Sequence, residues 1–121
     1  MERIIKNPEN PNLIIWQIRM PMTWDDFHLD LDQIQASARK ASEPFTIILH
    51  PQGTMPKGDA IAHIKRLIRL VGDSKSIERC VIAVDKSDPV GIAFLNMAIR
   101  LFASHNKVRV VKSYEDALEL V

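Results

Sequence analysis

The chain has 121 residues, enough for one domain and too few for a second core of ordinary size. Hydrophobic residues make up 46% and charged residues 26%, a balance that excludes a disordered chain. Its 16 Lys and Arg against 15 Asp and Glu remove the electrostatic argument for nucleic acid or for an anionic membrane.

Residues 3–6 form an expected short strand, followed by the turn formers Asn7, Pro8, Asn10, Pro11 and Asn12. Leu13 to Met20 reads as a stronger strand, with Ile14, Trp16 and Ile18 on one side and Ile15 and Gln17 on the other. Two strands around such a turn predict a hairpin. Thr23 is the expected N-cap of the first helix, Asp25 and Asp26 fall in its first turn, and Met22 and Phe27 have the spacing of a hydrophobic staple. The buried face of that helix is read as Phe27, Leu31, Ile34, Ala38 and Ala41. Phe45 to Leu49 is an apolar run of buried-strand type, and His50 to Pro56 reads as a loop. The second helix runs from Lys57 or Asp59 to Val71, with Gly72 as its C-cap and Lys65, Arg66 and Arg69 as a basic face opposite the apolar stripe. Ile77 to Val84 is the next strand. Asp88 and Pro89 open the third helix as N-cap and first residue, reaching about Ser104. Lys107 to Val111 is the last strand, and Ser113 caps a short final helix reaching Val121. The predicted fold is α/β in the order β-β-α-β-α-β-α-β-α, a single domain over residues 1–121 with a mixed, mostly parallel sheet of four or five strands and four helices.

The N-terminus lacks the apolar core of a signal peptide, and Val90 to Ala103 is shorter than the roughly 20 residues that span a bilayer. Cys80 is the one cysteine, so no internal disulfide can form; a cytoplasmic location without a transmembrane segment is expected.

No motif announces an active site. The histidines His28, His50, His63 and His105 form no metal-binding spacing, and a single cysteine excludes thiolate zinc sites, so no metal and no cofactor are expected. Gly53 and Gly58 have the wrong spacing for a phosphate loop, and Lys57 is not followed by Ser or Thr. Topology offers His50, Gln52 and Thr54 after one parallel strand and Asp85, Lys86 and Ser87 after the next. His50 and Asp85 could there form an acid–base pair of hydrolase type, weighed against the ordinary polarity of loops.

The third helix has two apolar stripes where a surface helix needs one. Val90, Phe94, Met97, Ala98 and Leu101 fall on one side, and Ile92, Leu95, Ile99 and Phe102 on the other, with Asn96 and Arg100 between. Either both are buried within the domain, or one meets a second copy, a protein partner or an apolar ligand. The stripe Ile92, Leu95, Ile99 and Phe102 is the expected outward one, and a pocket near Phe94, Met97 and Phe102 is the ligand-binding version.

Three segments carry a family resemblance. Met22-Thr23-Trp24-Asp25-Asp26-Phe27 resembles the opening of the first helix in a group of small bacterial proteins, Phe45-Thr46-Ile47-Ile48-Leu49-His50 resembles their next strand, and Val108 to Leu118 resembles their closing strand and helix. The group is the STAS-like, or SpoIIAA-like, domains, similar to anti-sigma-factor antagonists and more loosely to a lipid-binding α/β fold. The resemblance implies a non-enzymatic signalling domain that binds protein partners. Antagonist members carry a phosphoacceptor serine at the start of the second helix; Lys57-Gly58-Asp59 stands here, and that switch is missing. The expected partner-binding surfaces are the loop with Gln52, Thr54, Lys57 and Asp59 and the stripe on the third helix. A carrier of a small apolar, lipid-like molecule is the alternative reading.

Overall fold

A computed structural model describes residues 4–6, 9–19, 22–52 and 59–121. Strands β1 (Ile4–Lys6) and β2 (Leu13–Arg19) are antiparallel and set Ile5 opposite Ile15. From β2 onward every pairing is parallel: β2 with β3 (Phe45–Gln52), β3 with β4 (Ile77–Ala83), and β4 with β5 (Val108–Val111). The sheet order is β1-β2-β3-β4-β5, the same as the chain order. This is the expected mixed, mostly parallel sheet, with helices α1 (Trp24–Lys40), α2 (Ala60–Asp73) and α3 (Pro89–Phe102) as the crossovers and α4 (Tyr114–Glu119) at the end.

Because each crossover joins neighbouring strands in the same sense, α1, α2 and α3 lie on one face of the sheet. The main core forms there. It holds Ile14, Trp16, Ile47, Leu49, Cys80 and Ile82 from the strands, Phe27, Leu31 and Ile34 from α1, Leu67 and Ile68 from α2, and Leu95 and Ala98 from α3. The intervening strand residues Leu13, Ile48, Val81 and Ala83 point the other way and pack with Ala117 of α4. The side-chain alternation of a strand thus divides one sheet between two cores of unequal size. Arg79 pins the small one by donating to the Leu120 carbonyl at 2.6 Å.

Helix starts follow the capping residues. Thr23 accepts from the Asp26 amide and Asp26 accepts from the Thr23 amide, a closed capping box, with Met22 and Phe27 both buried beside it. Asp59, Asp88 and Ser113 cap α2, α3 and α4 in turn. Three expectations are corrected. β3 continues through His50, Pro51 and Gln52, read above as a loop, because β2 goes on pairing there. The β3–β4 register ends at Leu49 and Ile82, so Pro51 sits where its missing N–H costs no ladder bond on that side. Gly72 lies inside the last turn of α2, and Ser74 is the C-cap. A Cβ on Gly72 would stand 2.4 Å from the His105 ring, which makes its Nε2 bond to the Ile68 carbonyl at 3.0 Å.

The third correction concerns α3. Leu95 is buried, and Ile92, Ile99 and Phe102 pack partly buried against the main core, so the stripe expected to face outward is the one that meets the domain. The outward residues belong to the other stripe: Val90 is 78% exposed, Leu101 64% and Met97 41%. Periodicity located both stripes and could not rank them, since each has the same apolar content. Contact with α2 and β5 decides the matter.

Candidate functional site

The C-terminal ends of β3 and β4 open into a cleft of about 810 Å³, where open α/β sheets gather ligands. Its walls are apolar. Trp24 and Phe27 come from α1, Leu49 and Ile82 from the strands, Ile64 from α2, and Phe94 and Leu95 from α3. Polar groups sit at the rim: Thr23, His50, Gln52, Asp85, Ser87 and Asp88. An apolar body with a few polar groups at the edge is the usual construction of a small-molecule site, and the volume falls within the ordinary range.

The rim is anchored locally. Asp85 accepts from the Ser87 amide at 2.8 Å, and this bond, more than the nearby Lys86 and His50, holds its carboxyl below the usual range. Asp88 accepts from the Gly91 amide at 2.9 Å. A Cβ on Gly91 would come within 2.3 Å of the Asp88 carboxylate, so glycine lets the cap fold onto the helix. The His50 ring stacks on Tyr114 of α4, with centroids 5.0 Å apart. Burial lowers its pKa, opposed by the charges of Glu115 and Asp85.

Of the residues expected from topology, His50, Gln52, Asp85 and Ser87 do meet at one cleft. Among the described residues no hydrogen bond joins His50 to Asp85. Thr54 and Lys57, expected in a partner-binding loop, lie outside the described residues; Asp59 serves as the α2 cap. The stripe Ile92, Leu95, Ile99 and Phe102 contributes Leu95 to the cleft, and Phe94 joins it there, whereas Met97 and Phe102 do not line it. The basic face of α2 is largely engaged. Lys65 lies 5.1 Å from the Phe102 ring centroid, and Arg66 bonds to His28 and pairs with Asp32.

Two polar constellations escaped the sequence reading. Asp30 is 4% exposed and accepts from Trp16 Nε1 at 2.9 Å inside the main core. Its place with Phe27, Leu31 and Ile34 at steps of three and four was a usable signal, since an acid on a buried face needs a donor. The second constellation joins α1 to α2. Trp24 stacks on His63 at 4.5 Å, His63 meets His28, and His28 meets Arg66. Nothing in the spacing of His28 and His63, 35 residues apart, marks them as neighbours.

Among the described residues no group of three or more His, Cys, Asp or Glu could hold a metal ion, and no helix is long and apolar enough to cross a membrane. Compared with family models, with curated proteins and with solved structures, the chain has no match in any of the three.

Proposed function

We propose that the chain is a STAS-like domain that acts by binding, and that its cleft takes a small, mostly apolar molecule with a hydrogen-bond-donating head. The observation that carries this reading is the cleft itself, with aromatic and aliphatic walls and an ionised Asp85 on the rim. Burying an aliphatic or aromatic body against such walls gains about 25 cal/mol per Å² of apolar surface. The rim carboxylates Asp85 and Asp88 would accept from a hydroxyl or amine and fix the ligand's direction. A binding role, as opposed to hydrolysis, is supported at His50 and Asp85: each is held by another neighbour, Tyr114 and Ser87.

The full chain, purified without detergent and extracted into organic solvent, is expected to release an apolar molecule visible by mass spectrometry. After extraction it should bind the neutral dye Nile red saturably with a blue-shifted emission. Gln52→Trp, at an exposed rim position, should weaken that binding several-fold without altering the circular dichroism. An empty extract together with no saturable dye binding would refute the reading.

A further inference from the structure

The cleft takes Val90 and Phe94 from one stripe of α3 and leaves Met97 and Leu101 of the same stripe in water. Val90, Phe94, Met97 and Leu101 follow one another at steps of four, three and four, and the spacing reads the same in both directions about the helix midpoint. Val90, Met97 and Leu101 are exposed, and Phe94, which packs against the main core and lines the cleft, presents only its outer edge. A two-fold axis between Leu95 and Asn96 would set Val90 against the partner's Leu101 and Phe94 against the partner's Met97, twice over. Ala93, also exposed and beside the stripe, is small enough to let two such helices approach.

Charge selects the antiparallel arrangement. Arg100 is the one charged residue within α3, and it has no partner in the chain among the described residues. At the other end of the helix stands the exposed Asp88, whose Oδ1 caps the Gly91 amide. Antiparallel pairing brings each Arg100 toward the partner's Asp88 and opposes the helix dipoles. Parallel pairing would put Arg100 beside Arg100 and Asp88 beside Asp88.

We infer that the chain forms an antiparallel homodimer through the outer face of α3. Val90 also lines the mouth of the cleft, so Leu101 of the partner subunit closes part of each binding site.

Light scattering and sedimentation of the full chain should give twice the chain mass. Leu101→Asp, at an exposed position, should give the single-chain mass with unchanged circular dichroism. Arg100→Glu should weaken association about tenfold at low salt and less at high salt. Direction is tested by cysteine pairs, which Cys80 does not disturb because it is fully buried. Val90→Cys combined with Leu101→Cys should form dimers linked by disulfides on oxidation, and Val90→Cys alone should not. Within one chain the two positions are about 16 Å apart along the helix, too far to bridge. A single-chain mass for the wild type, or a dimer indifferent to Leu101→Asp, would overturn the inference. Cross-linking through Val90→Cys alone would overturn its antiparallel direction. Either result leaves the dye-binding test of the cleft to stand by itself.

Discussion

His28 Nε2 lies 2.6 Å from His63 Nδ1, and this pair joins α1 to α2 at the side of the cleft. Arg66 can only donate, and it reaches His28 Nδ1 at 2.8 Å. His28 therefore accepts at Nδ1, carries its proton on Nε2 and donates to His63. The chain of bonds requires His28 to be neutral. Burial first, then the charges of Arg66 and His63, lowers its pKa.

Stability should accordingly fall on the acid side. A histidine whose folded pKa lies below its unfolded value contributes fully above about pH 6.5 and loses that contribution as the pH drops through the lower folded value. His50, lowered in the same direction by burial, adds to the trend. Urea midpoints measured from pH 7.5 down to pH 5 should decline. His28→Ala should give a shallower decline than wild type, and a parallel curve would show that His28 does not titrate as described.

The Trp16–Asp30 bond makes a larger claim on stability. Removing the acceptor leaves a fully buried indole N–H without that partner, which costs about 1–3 kcal/mol. Asp30→Ala should lower the unfolding free energy by that amount in urea, and Asp30→Asn, which keeps an acceptor, should lower it less. Equal losses would assign the effect to something besides this hydrogen bond.

Gly72 is tested through its neighbour. Gly72→Ala would drive a methyl group into the His105 ring, an overpacking that costs about 1–3 kcal/mol. In the His105→Ala background the same substitution should be nearly neutral. Additive losses in the double variant would show that the two residues do not collide.

Cys80 should be silent in the folded chain. Its thiol is fully buried and its pKa is pushed up to about 12 by desolvation, so almost no thiolate exists at neutral pH. A chromogenic disulfide reagent at pH 8 should react only after denaturant is added, at a rate that tracks unfolding. Prompt reaction in buffer would contradict this burial.

The element order, the hairpin, the two sides of β2 and the N-caps of α1, α3 and α4 were legible from residue spacing. Each depends on a local rule: Thr23 beside Asp26, Asp88 before Pro89, alternation along Leu13 to Ile18. What depended on partners was not. Pro51 looked like a strand breaker until β2 was placed beside it and β4 ended before it. The two stripes of α3 are equally apolar, and only the docked helix shows which one faces water. His28 and His63 come together because two helices pack, and neither helix alone contains that fact. The ends of β3 and β4 were read as the place for an acid–base pair, and a ligand pocket was expected near Phe94, Met97 and Phe102; the cleft takes His50, Asp85 and Phe94. Of its aromatic walls Phe27 had been read as core and Phe94 as a pocket residue, while Trp24 had no assigned place.

The coincidence of sheet order with chain order bears on how the molecule is made. Every strand after the first pairs with the one just before it in sequence, so no strand waits for a later segment to be inserted between it and its neighbour. Synthesis from the N-terminus can extend the sheet one crossover at a time, with modest loop-closure cost at each step. The apolar underside, Ile48, Val81 and Ala83, is covered only when α4 emerges, after all five strands. Until then a nascent chain displays a sticky sheet face, and shortening the C-terminus before Ala117 should favour aggregation more than the few residues removed would suggest.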